Sequence, residues 1–261
     1  MLKMRGDILK KKLMVLCAVA IMISTCLTGC KMNSGKIRFG SAGIGGTYQI
    51  FGDTFANLIS SKSKKYNIEV KTTAGSAANL RLLSKDYIQM AVAQMDLIND
   101  AYNRTGIFEN DKKYQGYRAV ASLYTEACQI VVPADSDIQS MDDLEGKKVC
   151  IGEEESGTEQ NALQILNAYG LNERLVDTVN LNYTDAAKKL KSGDIDAFFC
   201  TAGVQTTVIN ELSKQCKIRL VSLDQKGVSR LKKSYKFYTE YTIPAGTYVN
   251  QTKEIKTVGV K

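Results

Sequence analysis

The 261-residue sequence contains no histidine and no tryptophan, and it has only two prolines. Without histidine, the chain cannot form a serine–histidine or cysteine–histidine nucleophilic site, a histidine general base or a histidine-ligated zinc site. A reaction would have to use carboxylates, lysines or cysteines, and the sequence places no two of them at the same predicted strand end. We therefore expect a protein that is not an enzyme and that uses no metal or other cofactor.

The N-terminus has the pattern of a secretory signal peptide. Lys10–Lys12 precede the apolar stretch Leu13–Ile23, which is short for a membrane span, so a transmembrane anchor is the weaker alternative. The residues Leu27-Thr28-Gly29-Cys30 resemble a bacterial lipobox, which implies cleavage before Cys30 and lipidation of its sulfur. We predict a signal peptide over 1–29, a tether over 30–36, and a lipid-anchored protein on the extracytoplasmic face of the cell membrane.

The remaining cysteines carry no recognisable motif. Four of the seven follow the N-terminal segment at wide spacings, without a C-x-x-C pair: Cys128, Cys150, Cys200 and Cys216. The first three lie in strand-like apolar runs, as buried small residues do. We expect free buried thiols, with disulfides as the alternative outside the membrane.

Charge gives little reason to expect a nucleic-acid partner. The formal net charge is +8, and removing residues 1–29 lowers it to +4, because five basic residues and one acidic residue leave with the signal peptide. The remaining lysines are scattered among acids such as Glu153–Glu155. A nucleic-acid-binding surface needs a clustered basic patch, which this pattern does not provide.

From residue 37 onward, strand-like apolar runs, including Arg118–Ser122, alternate with segments of helical periodicity. This alternation predicts parallel sheets flanked by helices. The pattern starts again after Pro133, so we predict an α/β fold with two lobes and a ligand cleft between them. The predicted boundaries are 37–126 for the first lobe, 127–248 for the second, and 249–261 for a strand that begins a return to the first lobe.

Three of the apolar runs break into a turn of small residues and then open an amphipathic helix. The runs end at Gly40, Thr72 and Gly152. Such turns place backbone N–H groups and hydroxyls at a positive helix end, where a carboxylate is favoured. Together with residues at neighbouring strand ends, they predict a site for a small acid. The predicted ligand-binding residues are Gly45, Gly46, Thr47, Tyr48, Gly75, Ser76, Asn79, Gln94, Asp96, Tyr124, Ser156, Gly157, Thr158, Ala202 and Gly203.

Several of these features also have a purely structural explanation. Thr47 and Asp96 are suitable helix caps, and Arg81 is more often a solvated surface residue than a partner for a carboxylate. The acids Glu153–Glu155 are expected to point to solvent. The glycine-rich turn before Tyr48 is not a dinucleotide fingerprint, because Tyr48 stands where the third glycine of that motif would be.

Seven segments, taken in order, carry a resemblance to a known family: Gly43–Tyr48, Thr72–Leu83, Ala119–Tyr124, Asp142–Val149, Ser156–Glu159, Gly193–Phe199 and Ile243–Tyr248. Together they resemble the TAXI type of extracytoplasmic solute receptor from tripartite ATP-independent periplasmic (TRAP) transporters. No single segment is diagnostic. The resemblance is specific because of their order and their coverage, from about residue 37 to the C-terminus.

The resemblance implies a two-lobed, periplasmic-binding-protein-like fold of type II. Such a receptor closes on a small organic acid or a glutamate-like amino acid and delivers it to the TRAP permease subunits in the membrane. A sensory module that presents its ligand to a receptor is an alternative, and a histidine-free enzyme acting on a similar acid is a weaker one. The chain departs from the family at Ala74, where relatives often have glycine. It also ends at Lys261 where relatives continue, so the resemblance implies C-terminal truncation.

Overall fold

Two β-sheets organise the residues that this computed structural model describes, 36–113 and 115–261. Residues Ile37–Lys261 form one compact unit. The predicted signal peptide, Cys30 and nearly all of the predicted tether lie outside the described residues. No helix in the described part of the chain is both long enough and apolar enough to cross a membrane.

The smaller sheet has three strands in the order β2-β1-β3 and defines the first lobe. β1 (Lys36–Gly40) pairs in parallel with β3 (Met90–Ala91), and β2 (Asn67–Lys71) borders β1 on the other side. Each strand is followed by a helix, so three helices begin beyond the carboxyl ends of these strands. The helices are α1 (Thr47–Lys62), α2 (Ser76–Ser84) and α3 (Met95–Asn103).

The larger sheet has seven strands and defines the second lobe. Its order is β6-β5-β7-β4-β10-β9, and β8 also pairs with β4. The strands are β4 (Glu126–Pro133), β5 (Lys148–Gly152), β6 (Asp177–Asn180), β7 (Ala197–Ala202), β8 (Ile218–Leu220), β9 (Thr239–Ile243) and β10 (Ile255–Val260). The helices are α4 (Gly157–Ala168), α5 (Tyr183–Ser192), α6 (Thr207–Gln215) and α7 (Gln225–Ser234).

The central strand β4 is buried on both faces. Cys128, Ile130 and Val132 belong to one apolar core, and Ala127 and Val131 belong to another. Successive side chains of a strand point to opposite faces of the sheet, so this division follows the alternation of the strand. The first core includes residues of α4 and α7, whereas the second includes residues of α5 and α6. The larger sheet is therefore covered by helices on both sides.

The first lobe has a smaller core. Leu80 of α2 and Leu97 of α3 pack together with Phe108 from a short 3₁₀ turn. On another face, Phe39 of β1 lies 5.7 Å, between ring centroids, from Phe55 of α1. Since hydrophobic stabilisation scales with the apolar area removed from water, we expect the first lobe to be the less stable of the two.

The expected parallel arrangement is only partly correct. β5 is parallel to β6 and β7, but β4 is antiparallel to β7, β8 and β10. The chain reaches β4 from the first lobe through a long irregular segment, and not through the helical crossover that links parallel strands. The predicted strand Arg118–Ser122 lies in that segment and is not a strand. Its central residue, Val120, is exposed, so no sheet covers it.

The last described residues complete the larger sheet. β10 lies between β4 and β9, and the carbonyl of Lys261 accepts a hydrogen bond of 2.5 Å from the backbone N–H of Met95 in the first lobe. The exact lobe boundaries stay a prediction. The expectation of free thiols is confirmed for Cys128, Cys150, Cys200 and Cys216, of which the first three are buried.

Candidate functional site

A cavity lies between the two lobes, where the starts of four helices meet. The centre of a water molecule can occupy a volume of about 40 Å³ inside the cavity, which is room for about three water molecules. The lining comes from the turns before α1 and α2 in the first lobe and before α4 and α5 in the second. The lining residues are Ala42, Gly43, Gly46, Thr47, Tyr48, Ala74, Gly75, Ser76, Gln94, Glu126, Glu153, Ser156, Gly157, Thr158, Leu181, Asn182, Tyr183, Thr201 and Ala202.

The start of α1 presents backbone donors to the cavity. Gly46 is the residue before the helix and makes no side-chain cap, so Thr47 is the first helical residue and not the cap that its sequence suggests. The first N–H groups of a helix have no partner within it. Tyr48, on the same turn, is buried and reaches across to the second lobe, where its hydroxyl donates to Glu126 Oε2 at 2.9 Å.

The start of α2 approaches the second lobe closely. Gly75 has a φ of 132°, a conformation that residues with a Cβ rarely adopt, and a Cβ there would lie 3.5 Å from Ser156. Glycine therefore fits both the turn and the approach of the lobes. The next residue, Ser76, is buried, and its Oγ accepts a hydrogen bond of 3.1 Å from the backbone N–H of Gln94.

The start of α4 is the second lobe's counterpart. Ser156 caps this helix, since its Oγ accepts a 3.0 Å hydrogen bond from the N–H of Glu159. Thr158 Oγ1 shares a 2.5 Å hydrogen bond with the hydroxyl of Tyr183, which in turn donates to the carbonyl of Thr201. Hydrogen bonds of these hydroxyl groups therefore connect the starts of α4 and α5 to β7.

The charged floor of the cavity is Glu126, the first residue of β4. The carboxylate is buried, with only 4% of the residue exposed. Its Oε2 accepts from Tyr48 and, at 2.8 Å, from Gln94 Nε2, while Oε1 has a longer contact of 3.5 Å with the hydroxyl of Tyr124. Sequence reasoning missed this residue. The available signal was a single acid at the start of an otherwise apolar buried strand.

Burial dominates the protonation behaviour of this floor. Removal from water raises the pKa of the Glu126 carboxyl to about 7, although the hydrogen bonds from Gln94 and Tyr48 oppose the shift. Burial, reinforced by the charge of Glu126, also raises the pKa of Tyr48 and Tyr124 well above the usual range. The two tyrosines therefore stay protonated donors at neutral pH, and the Glu126 carboxyl is partly protonated there.

Other residues at the lobe junction bind the protein to itself. Arg81 of α2 donates to Glu155 Oε1 across the cleft at 2.7 Å and to Asp111 Oδ2 at 2.9 Å, so it is only partly solvated and is held by the protein's own carboxylates. Asp96 lies behind the cavity, where Oδ2 accepts from Asn161 Nδ2 of the second lobe at 3.3 Å. Burial raises the pKa of Asp96 to about 6.

The cavity brings together ten of the fifteen predicted ligand-binding residues. These are Gly46, Thr47, Tyr48, Gly75, Ser76, Gln94, Ser156, Gly157, Thr158 and Ala202. The other five lie elsewhere. Gly45 borders a separate groove between α5 and α6, Asp96 is not a lining residue, and Tyr124 and Gly203 stand behind the wall, with Tyr124 touching Glu126.

Asn79 is the fifth and has a structural role. Its Nδ2 donates to the carbonyls of Ser41 at 2.7 Å and Val92 at 2.9 Å, and its Oδ1 accepts from Thr73. It therefore ties together the strand ends of the first lobe. The prediction for the acidic run also needs correction, because Glu154 is exposed but Glu153 and Glu155 are partly buried. Glu153 lines the cavity, and Glu155 pairs with Arg81.

The site offers donors and acceptors but no metal-binding cluster. No group of three or more aspartate, glutamate or cysteine side chains within the described ranges is arranged to hold a metal ion. Among the cavity-lining residues, the polar groups are hydroxyls, amides, backbone N–H groups and two carboxylates. Such an arrangement can orient a small polar molecule through hydrogen bonds.

A family model described as the NMT1-like family matches residues 39–261 of the chain. The chain belongs to the NMT1-like family. Its α/β architecture with two lobes confirms the predicted periplasmic-binding-protein-like fold of type II.

Solved structures share this architecture at low sequence identity. The NMT1-like chain matches a protein from Bordetella bronchiseptica with a TM-score of 0.55 and 16% identity, over 88% of this chain and 64% of that one. It also matches the periplasmic aliphatic sulphonate-binding protein from Escherichia coli, with a TM-score of 0.46 and 16% identity, over 85% of this chain and 64% of that one.

A third match is the alkanesulfonate-binding protein from Xanthomonas axonopodis pv. citri, bound to MOPS. Here the TM-score is 0.49 and the identity 16%, over 72% of this chain and 60% of that one. The NMT1-like chain thus spans less than two thirds of the length of these sulphonate-binding proteins.

Proposed function

We propose that the protein is an extracytoplasmic solute-binding receptor that captures a small organic acid or amino acid and delivers it to the permease subunits of a TRAP transporter. One observation carries the proposal. Four helix starts, two from each lobe, meet at a small cavity between the lobes. Donors from both lobes around one cavity suit a ligand that is enclosed when the lobes close.

The polar groups of the cavity also favour binding over catalysis. The chain has no histidine, and Glu126 is held by Tyr48 and Gln94 on the same oxygen. Cys128 and Cys200 are buried, and burial raises the pKa of the Cys128 thiol to about 12. A protonated thiol is a poor nucleophile. The residues near the cavity thus supply orientation and hydrogen bonds.

The TRAP assignment rests on the TAXI resemblance, and the membrane location rests on the lipobox. We propose that Cys30 carries the lipid that holds the receptor at the outer face of the membrane. We also propose that the lobes that close on the ligand are 37–126 and 127–248, with β10 from 249–261 joining the sheet of the second lobe. Incorporation of labelled palmitate by the full chain, and its loss in Cys30→Ser, tests the anchor. Copurification with a multi-span permease, and not with a sensor kinase, tests the transport role.

The ligand site is tested by thermal-shift screening of the chain from Cys30 onward against amino acids, keto acids, dicarboxylates and neutral sugars. We expect an acid or amino acid to raise the melting temperature. Ser76→Phe and Thr158→Phe should abolish this effect because they fill the cavity, whereas Ser61→Phe, on the exposed end of α1, should retain it. Stabilisation by a sugar alone, or unchanged binding in both cavity variants, would contradict the proposal.

A further inference from the structure

The charge of the cavity does not fit an anion alone. Among the described residues that line it, two are carboxylates, Glu126 and Glu153, and none is a lysine or an arginine. Arg81, across the lobe contact, is engaged by Asp111 and Glu155 and by the carbonyl of Ile107. Among the described residues that line the cavity, the helix starts are therefore the positive feature, and the carboxylates of Glu126 and Glu153 are the negative one.

Gln94 adds a second acceptor beside Glu126. Gln94 is 2% exposed, and its Oε1 has no hydrogen-bond partner among the described residues. The orientation of the amide is set by its neighbour, because Nε2 donates to the carboxylate of Glu126 and the reversed amide would place two oxygens together. A buried acceptor without a partner costs free energy until a ligand donates to it.

The carboxylate of Glu126 can accept a further strong hydrogen bond. Two good hydrogen bonds converge on Oε2, whereas Oε1 has, within the described ranges, only the long contact with Tyr124. A protonated amine has several N–H donors and one positive charge, so it can bond to both Glu126 and Gln94 Oε1 while neutralising the buried charge. A keto or hydroxy group in its place supplies no charge.

The helix starts that line the cavity have the complementary character. The first N–H groups of α1, α2 and α4 lack partners within their helices, although the third N–H of α2 donates to the Glu155 carbonyl and the third of α4 to Ser156 Oγ. Gly157 allows Gln94 to pack directly on the start of α4, since a Cβ at this position would collide with the Gln94 amide. Donors thus lie at the helix starts, and two acceptors lie together at Glu126 and Gln94, while the Glu153 carboxylate borders Gly43 in the turn before α1. The cavity therefore presents hydrogen-bond donors to one part of a ligand and acceptors to another.

We propose that the ligand is a small zwitterionic amino compound, whose protonated amine lies between Glu126 and Gln94 and whose carboxylate lies at the helix starts. This inference rests on the proposed function and narrows it to amine-bearing ligands, in preference to keto acids and dicarboxylates. The limited volume of the cavity favours a ligand of few atoms.

The test compares ligands that differ only at the amine. Isothermal titration of the chain from Cys30 onward with alanine, pyruvate and lactate, and with glutamate and 2-oxoglutarate, measures the amine preference directly. We expect the amino member of at least one set to bind more than about 10-fold tighter than its partners. Glu126→Gln keeps the shape and removes the charge, so it should weaken amine binding about 100-fold and leave keto-acid binding unchanged.

Two further variants separate the possible failures. Gln94→Met removes the second acceptor at similar volume and should also reduce amine binding. Glu154→Gln removes an exposed charge from the acidic run Glu153–Glu155 and should have no effect. If keto acids or dicarboxylates bind as tightly as amines in the wild-type chain, the amine inference is wrong and the receptor function stands. If no acid or amino acid binds a chain that melts cooperatively, both are wrong.

Discussion

Two buried carboxylates at the lobe junction have different surroundings. Asp96 is enclosed by protein, where Asn161 Nδ2 and the backbone N–H of Leu97 donate to it, and it does not line the cavity. Glu126 has hydroxyl and amide donors too, but it forms the floor of the cavity beside Gln94 Oε1, which has no hydrogen-bond partner in the described part of the chain. Burial raises the pKa of both groups, so burial alone does not identify a ligand site. An unpartnered acceptor does not identify one either, because Asn161, which donates to Asp96, also has a buried oxygen without a partner among the described residues. The difference is that Glu126 and Gln94 both line the cavity, whereas Asp96 and Asn161 do not.

The largest expected difference between the two acids concerns ligand affinity. Glu126→Gln should weaken amine binding about 100-fold, whereas Asp96→Asn should change it by less than about 3-fold, because Asp96 meets only protein groups. Titration of both variants with the same amino acid checks this contrast. Equal losses in the two variants would mean that Glu126 acts through the lobe contact and not through the ligand.

The second difference appears in the pH dependence of the ligand-free protein. Because the folded-state pKa of Glu126, about 7, is raised above the ordinary value of 4.5, ionisation opposes folding. The penalty is complete above the folded-state pKa and disappears below the unfolded one, so stability should rise as the pH falls from about 7 to about 4.5. Glu126→Gln removes this contribution. We expect Glu126→Gln to be more stable than the wild type at about pH 8. The difference in their free energies of unfolding should be about 2 kcal/mol smaller at about pH 5.

Urea unfolding at several pH values measures this effect as the difference between the wild type and Glu126→Gln. The difference is informative because titrating groups that do not interact with Glu126 contribute equally to both proteins. Asp96, with a pKa of about 6, should still make the variant more stable on acidification. A wild type that loses stability relative to the variant as the pH falls would contradict the assigned environment of Glu126.

A smaller effect is expected where Gln94 packs on Gly157. Gly157→Ala adds a methyl group that collides with the Gln94 amide and should displace it from Glu126, which we expect to weaken amine binding about 10-fold. In the Gln94→Ala background the added methyl group should have little further effect. A double-mutant cycle measures the coupling, and full additivity would show that the two residues act independently.

The smallest effect is expected at the rim. The ion pair between Arg81 and Glu155 bridges the lobes but is partly solvated, with side-chain exposures of 24% and 45%. Exposed pairs contribute about 1 kcal/mol or less, so Arg81→Met should raise the ligand dissociation rate only a few-fold. Lys214→Met, which removes a surface pair within α6, is the matched control. Stopped-flow dissociation distinguishes the two, and identical rates would exclude a role for Arg81 in closure.

Local sequence patterns were sufficient for most of the fold. The glycine and hydroxyl turns before α1, α2 and α4 were predicted from composition alone, because the residues that open a helix after a strand are chemically restricted. The antiparallel placement of β4 was not predictable from its own sequence, since a strand buried on both faces reads as an apolar run whichever way it is paired. The run Arg118–Ser122 gave a false strand for another reason, because a short run of small apolar residues does not show whether a sheet covers it.

The site was predictable only as far as short-range signals reach. Ser76, Gly157 and Thr158 lie where their turns predict, whereas Asn79, on the same turn as Ser76, instead holds strand ends together through contacts with Ser41 and Val92. Glu126 was missed because its role depends on Tyr48 and Gln94, which are distant in sequence. Such long-range contacts decide which polar residue faces a ligand.

The proposed position of the ligand amine, between Glu126 and Gln94, is tested most directly by a crystal structure. The crystal would contain the chain from Cys30 onward with the tightest-binding compound of the ligand panel. We predict an amine nitrogen about 2.7–3.2 Å from both a Glu126 carboxylate oxygen and Gln94 Oε1, with a carboxylate at the starts of α1, α2 and α4. A carboxylate or keto oxygen seated against Glu126, with the Gln94 amide reversed to donate to it, would contradict the account.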